Sequence, residues 1–383
     1  MRKKIGVMLC ISLLANVLSG CGAQAGTVTE SNNLTEKDKA ATVEENSEPE
    51  TIDTAESGND QSLVTEEGTG EITMPEEEPE FWGADYILEI SVGYGNFVTQ
   101  EDIIHIGQCS HLKHLQIMID ERVTDLTPLE NLAELESLDI LIECSPDLSF
   151  LRNLTQLEEL VLTIYTDEEV DLSPVGSLTE LRKLTMGYGD VVSDLSFLEN
   201  LNQLTELTFD TWLTVKDLSY FQDMRSLQIL YITYVDDVDL NYLSELKNLE
   251  SLTITGHNIR NIEGIGDLIN LKELYLCDNS LDAMYGETEP LDIRSLENLT
   301  QLERIELEFI HFDDITPLAE LKRLRSITLA NTNVEDISPL IGLENLEWLH
   351  IYGNESELVK EQAETYFSEI GDMFVTEKRP NGY

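Results

Sequence analysis

Apolar residues return along this chain in a fixed triplet, Leu-x-x-Leu-x-Leu or a close variant. Its first leucines are Leu112, Leu135, Leu157, Leu181, Leu204, Leu227, Leu249, Leu271, Leu302, Leu324 and Leu346. Successive triplets are 22 to 24 residues apart, with one longer step of 31 residues. One unit of about 22 residues cannot bury its apolar face alone, so the pattern predicts a solenoid of about eleven stacked units.

Each unit combines two different periodicities, as the one that begins at Leu324 shows. Ile327 and Leu329 alternate with polar neighbours, which predicts a short half-buried strand. Apolar residues then follow at spacings of three, as in a tight helical turn: Val334, Ile337 and Leu340. Ser338 is predicted to cap that turn, with Pro339 at its first position. The fold class is therefore α/β, with a curved parallel sheet on the concave face and short helical turns on the convex face.

The second half of the unit carries a recurring tetrapeptide, Asp-(Leu or Ile)-(Ser or Thr)-Pro. It begins at Asp125, Asp171, Asp314 and Asp336. With this motif the repeat resembles the internalin type of leucine-rich repeat over about 112–354. The resemblance implies a non-catalytic solenoid that binds another protein, peptide or glycan. The turn asparagine of that family stands only at Asn279 and Asn354, and the first six units extend their apolar alternation by one step, which predicts longer strands there.

Both ends of an open stack need caps for solubility. Residues 81–111 form the predicted N-terminal cap, with a strand over Tyr86–Val92. Residues 355–383 form the predicted C-terminal cap, with an amphipathic helix over Ser356–Ile370 followed by the segment Met373–Thr376.

The chain begins with a basic start and an apolar run over residues 1–20, which predicts a signal peptide. The run ends in Leu18-Ser-Gly-Cys21, which resembles a bacterial lipobox. The resemblance implies cleavage before Cys21 and acylation of its thiol, so the expected location is the extracytoplasmic face of a bacterial membrane, on a Gram-positive surface rather than in a periplasm. Two acyl chains suffice for stable anchoring. The alternative is an ordinary secreted protein.

Residues 21–80 differ in composition from the repeats. From Gly22 to Glu80 there are 17 acidic residues, two lysines and no aromatic residue. Such a segment cannot bury enough surface to offset its chain entropy, which predicts a disordered acidic tether. The whole chain has a formal charge of −52, and losing Arg2, Lys3 and Lys4 with the signal peptide makes it −55. This charge argues against nucleic-acid binding.

The sequence contains no catalytic motif, and we expect neither an enzyme nor a cofactor. Cys109, His111 and His114 are close in sequence, but their positions in the repeat direct them apart, whereas zinc needs converging ligands. Acidic runs such as 167–171 leave calcium between rungs as an alternative to a solvated edge. A Cys109–Cys144 disulfide also remains open, and Cys277 is expected to be a thiol on the inner strand face.

The predicted function depends on the side chains that face the hollow. At its N-terminal end these are apolar (Met118, Leu141 and Val161), followed by a basic patch at Arg182 and Lys183 and acidic Glu303, Glu306 and Glu308. Exposed apolar and aromatic groups on a strand face indicate a contact surface. The candidate ligand-binding residues are Ile229, Tyr231, Tyr275, Trp348, His350 and Tyr352. Tyr231 and Tyr275 are expected outside the core, whereas the cap helix is an alternative cover for Trp348 and Tyr352. The alternative function is an envelope scaffold or an accessory subunit of a secreted enzyme or transporter.

Overall fold

The computed structural model describes residues 62–64 and 88–376, except 94, 167, 188–191, 193, 212–217, 237–238, 279, 281–288, 313, 355, 369 and 371. All of them belong to one compact unit, Asn59–Tyr383. The predicted signal peptide, Cys21 and most of the predicted tether lie outside the described residues.

Within this part of the chain, fourteen parallel strands form one sheet in sequence order. Eleven of them, β3 to β13, each contain the last two apolar residues of one leucine triplet, so the predicted solenoid is confirmed. The strands are β1 (Ser62–Val64), β2 (Glu89–Ser91), β3 (His114–Ile119), β4 (Ser137–Ile142), β5 (Glu159–Ile164), β6 (Lys183–Gly187), β7 (Glu206–Asp210), β8 (Ile229–Asp236), β9 (Ser251–His257), β10 (Glu273–Asp278), β11 (Arg304–Glu308), β12 (Ser326–Ala330), β13 (Trp348–Tyr352) and β14 (Asp372–Thr376).

Alternation along each strand separates two faces of the sheet. On β9, Leu252 and Ile254 have no exposed surface, whereas Thr253 between them is half-buried. The buried residues of the strands and of the turns form one continuous apolar cluster, so the core lies between the sheet and the turns. We call the opposite side of the sheet, which carries Thr253, the open face.

Short 3-10 turns return the chain from one strand to the next. Their bounds are Thr127–Asn131, Leu148–Asn153, Ser173–Ser177, Ser196–Asn200, Ser219–Asp223, Leu240–Leu243, Glu263–Asp267, Arg294–Asn298, Thr316–Glu320 and Ser338–Gly342. In the last turn, Asp336 Oδ1 accepts a hydrogen bond from the Ser338 backbone N–H at 2.9 Å. The predicted capping role of the Ser338 side chain is therefore wrong: the aspartate two residues earlier caps the turn, with Pro339 near its start as predicted.

The same cap recurs from rung to rung, with asparagine in place of aspartate once. A side-chain oxygen accepts the backbone N–H two residues later at 2.8–3.0 Å in Asp125, Asp147, Asp171, Asp194, Asp239, Asn261, Asp292, Asp314 and Asp336. This bond gives the Asp of the tetrapeptide a physical role, because it supplies an acceptor for an N–H at the start of the turn.

The ends of the stack are closed by two helices. Helix α1 (Gln100–Ile106) begins with a capping box between Thr99 and Asp102. Helix α2 (Glu357–Tyr366) begins at Ser356, whose side chain accepts from the Val359 N–H, and β14 follows it. The predicted helix of the C-terminal cap is therefore present but shorter than predicted, and the segment after it forms β14.

Two features differ from the sequence predictions. Ser62–Val64, which fall in the predicted tether, pair with Glu89–Ser91 as the first strand of the sheet. Strands β3 to β5 have six residues and β8, in the sixth unit, has eight, as the extended alternation predicts, whereas β7 has only five. Strand β6 ends at Gly187, and its predicted extension through Tyr188 lies outside the described residues. The register of β8 is irregular between Ile232 and Val235.

The turn asparagine bonds the neighbouring rung at the one position where the structure describes it. Asn354 is buried, and its side-chain amide donates to Val334 O on the preceding rung at 2.7 Å. Thr332 occupies the equivalent position one rung earlier and is also buried. Asn279 lies outside the described residues.

Candidate functional site

The parallel register arranges the open face in rows that run across the strands. The middle row contains Tyr231, Thr253, Tyr275, Glu306, Thr328 and His350 on six successive strands, β8 to β13. One row beside it contains Ile229 and Trp348 on the same two outer strands. The row on the other side contains Tyr352. All six candidate residues therefore lie on the open face, and their role in binding stays a prediction.

Ile229, Tyr231 and Tyr275 form the central group. Ile229 is 39% exposed, and both tyrosines are half-buried. Thr253 of β9 lies between the tyrosines in the register. Two strand spacings of about 4.8 Å place their backbones roughly 10 Å apart, so one partner element can contact both tyrosines.

Tyr275 is held by an internal hydrogen bond. Its hydroxyl donates to Glu308 Oε2 of β11 at 2.9 Å, and Glu308 is only 5% exposed. Burial is the main cause of a strongly raised Tyr275 pKa, with Cys277, Glu308 and Glu306 adding to it. Tyr275 lies outside the apolar core, as expected, but its hydroxyl also satisfies a buried carboxylate.

Trp348, His350 and Tyr352 of β13 form the C-terminal group. Trp348 is 40% exposed, and the other two are half-buried. The Tyr352 hydroxyl lies 3.2 Å from His350 Nδ1, and their rings meet edge to face at 5.8 Å between centroids. The two side chains can pair because His350 and Tyr352 are two residues apart on β13, and strand alternation places them on the same face.

The C-terminal cap leaves Trp348 accessible. Helix α2 packs on the side of the turns, where Gln362 bonds both Asp336 and the Ile337 backbone N–H. The neighbour of β13 within the sheet is β14, which pairs with it from Trp348 to Tyr352. The alternative in which the cap helix covers Trp348 is therefore wrong.

Strands β11 and β12 separate the two groups. Three spacings of about 4.8 Å place the backbones of Tyr275 and His350 roughly 14 Å apart. The structure therefore groups the six residues into two patches rather than one continuous surface.

The open face carries an acidic excess. Across its three rows from β3 to β13, two basic side chains, Lys183 and Arg304, stand against seven acidic ones: Asp139, Glu159, Glu206, Asp210, Glu273, Glu306 and Glu308. The Lys183 ammonium lies 3.4 Å from Glu159 and 3.3 Å from Glu206, and its hydrogen bond to Glu206 is the main cause of its raised pKa. Arg304 lies 3.6 Å from Glu273.

The predicted basic patch, Arg182 and Lys183, is paired with neighbouring carboxylates. Besides the ion pairs of Lys183, Arg182 lies 3.5 Å from Glu158. The patch offers charges that already have acidic partners, so it is a weak attractor for an acidic ligand.

The apolar N-terminal end of the open face is partly covered. Met118 is buried, because the segment before α1 folds onto it: the Gly95 N–H contacts its sulfur at 3.3 Å, and the Val98 N–H donates to its carbonyl at 2.9 Å. Leu141 and Val161 remain half-buried on the face. The predicted exposure of Met118 is therefore wrong.

Potential sites for chemistry are few in the described part of the chain. Cys109, Cys144 and Cys277 are thiols there, and burial raises the pKa of the first two. Among the same residues, no three His, Cys, Asp or Glu side chains converge as metal ligands would. No helix described by the structure is long and apolar enough to cross a membrane.

One cavity was not indicated by the sequence. It has a volume of about 700 Å³ at the ends of β5 and β6, with Leu162, Met186 and Phe197 in its wall and Glu168 and Asp171 among its polar lining residues.

Comparison with known proteins identifies solved structures of similar fold. No family model and no curated protein sequence matches the chain. Among solved structures, an internalin (inlF) of Listeria monocytogenes is similar with 27% identity and a TM-score of 0.56, covering 70% of this chain and 72% of that one. A leucine-rich-repeat protein of Leptospira interrogans is similar with 17% identity and a TM-score of 0.51, covering 72% and 75%.

A plant protein has the same fold at lower identity. It is the leucine-rich-repeat ectodomain of the Arabidopsis thaliana receptor kinase GASSHO1/SCHENGEN3, with 15% identity and a TM-score of 0.50, covering 78% of this chain and 39% of that one. From the stacked parallel strands, the turn geometry and these similarities, the chain has the leucine-rich-repeat solenoid fold and is similar to an internalin.

Proposed function

We propose that this chain is a lipid-anchored protein of a bacterial surface that binds a protein partner through the open face and catalyses no reaction. The observation that carries the proposal is the outward placement of Ile229 and Trp348. Both are large apolar side chains, 39% and 40% exposed, on a sheet face that the core does not use. Exposed apolar and aromatic groups of this kind favour contact with another protein.

The two groups suit an interface with separate anchors. In protein interfaces a few large residues, tryptophan and tyrosine above all, contribute most of the binding energy. The Arabidopsis ectodomain of the same fold was solved in complex with CASPARIAN STRIP INTEGRITY FACTOR 2. That complex supports the proposal at the level of the fold, because it shows a leucine-rich-repeat ectodomain holding a ligand.

The binding test uses partners captured by proximity labelling from the anchored protein. We expect Ile229→Ala and Trp348→Ala together to lower affinity for the captured partner at least tenfold. The matched control is Ile269→Ala with Tyr366→Ala, because both side chains are exposed, at 54% each, but lie outside the strands. A partner that loses affinity only in the control variant would move the site to another surface.

The anchor is proposed from Leu18-Ser-Gly-Cys21, which follows the apolar run directly. We expect Cys21→Ala to release the protein from membranes into the medium. If the variant stayed in the detergent phase on phase partitioning, the chain would not be held by acylation. A partner encoded beside it that co-purifies from detergent, with no binding of external protein to intact cells, would favour the scaffold alternative.

A further inference from the structure

Strand β12 forms the floor of a trough on the open face. Its side chains there are small: Ser326 and Thr328 are half-buried and Ala330 is covered. We call this the β12 trough. The β11 wall consists of Arg304, Glu306 and Glu308, and the β13 wall consists of Trp348, His350 and Tyr352.

The β11 wall is negatively charged toward the trough. Glu306 stands next to Thr328 in the register. Arg304, the one base in this wall, is ion-paired with Glu273 on β10, on the side away from β12. Glu308 is 5% exposed and accepts the hydrogen bond from the Tyr275 hydroxyl, so it is not counted as a contact of the trough.

The β13 wall is aromatic. Trp348 stands next to Ser326 and His350 next to Thr328. The Trp348 side chain is 40% exposed, and among aromatic rings the face of an indole attracts a cation most strongly.

The width of the trough selects the size of its occupant. Two strand spacings of about 4.8 Å separate the walls, so their backbones are roughly 10 Å apart. A helix is itself about 10–12 Å wide with its side chains, which is too wide to enter. A single extended side chain fits over Ser326 and Thr328. Arginine can stack on an aromatic ring and donate to a carboxylate at once, and lysine can pair with both as a point charge.

We propose that the β12 trough receives an arginine or lysine side chain of the partner protein, held between the Glu306 carboxylate and the Trp348 ring. The proposal rests on the proposed function and adds the chemistry of the partner. Charge complementarity supports a basic occupant, because seven acids face two ion-paired bases across the open face.

The test uses peptides as probes. Peptides that bind the purified full-length chain are selected from a random twelve-residue library displayed on phage. Each arginine and lysine of a selected peptide is then replaced in turn by methionine. We expect one such replacement in the peptide to lower its affinity for the unmodified chain at least tenfold. The same replacement should lower affinity for the Glu306→Gln, Trp348→Leu double variant less than threefold, because that variant no longer has the site that binds the cation.

Matched substitutions separate the trough from the general charge of the face. Thr328→Arg fills the trough with a cation and is expected to lower affinity at least tenfold. Thr185→Arg introduces the same side chain in the middle row on β6, where Thr185 is also half-buried, and should change affinity less than threefold. Glu320→Gln removes an exposed acid from a turn and should also have little effect. Thermal unfolding of each variant shows that it is folded.

Four results would overturn the proposal. Equal losses of affinity from Thr328→Arg and Thr185→Arg would mean that the acidic face attracts the peptide diffusely and that the β12 trough is not a specific site. A tenfold gain in peptide affinity on removal of residues 377–383 would mean that Lys378 or Arg379 of the chain itself occupies the trough and competes with the peptide. Binding that needs Ile229 and Trp348 but no peptide cation would overturn the trough and leave the proposed function standing. If no open-face variant changed the binding, both the trough proposal and the proposed function would be wrong.

Discussion

The hydroxyl of Tyr275 on β10 donates a hydrogen bond to Glu308 Oε2 on β11, 33 residues later in the chain, at 2.9 Å. Glu308 is 5% exposed although its strand position faces away from the core. A carboxylate buried in this way is stable only while donors satisfy it. The pair therefore makes the centre of the open face both a candidate contact surface and a part of the folded structure.

Removing only the Tyr275 hydroxyl should destabilise the fold. We expect Tyr275→Phe to lower the free energy of unfolding by about 1–3 kcal/mol, because the buried Glu308 loses one donor while the ring is kept. Tyr366→Phe, at a tyrosine that is 54% exposed on α2, serves as the control and should change it by less than about 0.5 kcal/mol. Urea unfolding measures both. Equal stability of the two variants would show that Glu308 does not depend on this hydrogen bond.

The strand phase of the core gives a second prediction. Leu252→Ala and Ile254→Ala should each cost about 2–5 kcal/mol, because both side chains are fully buried between rungs. Thr253→Ala, between them on the open face, should stay within about 0.5 kcal/mol. Urea titration of the three variants compares them directly, and three equal losses would contradict the assigned faces.

The aspartates that cap the turns predict a dependence on acid. Hydrogen bonds from Thr127 and Ser173 lower the pKa values of Asp125 and Asp171, and those from Arg294 lower the pKa of Asp292 to about 2. A carboxyl whose pKa is lower in the folded state stabilises the fold above its unfolded pKa of about 3.9. That contribution is lost as the pH falls through the folded pKa, so we expect unfolding in urea to become steadily easier from about pH 4 to pH 2.

Asparagine provides the control for this acid effect, because Asn261 accepts the same bond naturally, from Glu263 at 2.8 Å. A variant with Asp125→Asn and Asp171→Asn keeps both acceptors but cannot titrate there. It should match the parent chain at pH 7 and lose less stability between pH 4 and pH 2. An unchanged acid slope would assign the acid sensitivity to other carboxyls.

Gly353, directly after β13, gives a fourth prediction. Its φ is +66°, and a Cβ on it would be driven into Asn331 Oδ1 of the preceding rung. We expect Gly353→Ala to cost about 2–4 kcal/mol from backbone strain and overpacking together. Gly95→Ala, at φ +87° with open space around the added methyl group, should cost only the backbone part, about 1–2 kcal/mol. Thermal unfolding of the pair separates the two terms, and similar losses would mean that Asn331 moves aside.

Much of the candidate site could be read from the sequence because strand alternation is local. The triplet that begins at Leu346 fixes which way Trp348, His350 and Tyr352 point, and all three lie on the open face. The capping of the turns was misassigned for an equally local reason. Ser338 and Asp336 are both suitable capping residues, and only the backbone geometry shows that the Asp336 carboxylate, not the Ser338 hydroxyl, accepts the N–H.

The sequence by itself determined the number of rungs, their strand and turn halves and the face to which each strand residue belongs. These properties depend on a period of two and on a repeat of about 22 residues, which are properties of neighbours in the chain. The tertiary structure alone decided that Tyr275 supports Glu308, that the segment before α1 covers Met118 and that β14 rather than α2 adjoins Trp348. Those contacts join residues on different rungs or in different segments, and their existence depends on the register and the stacking of rungs, which no local pattern encodes.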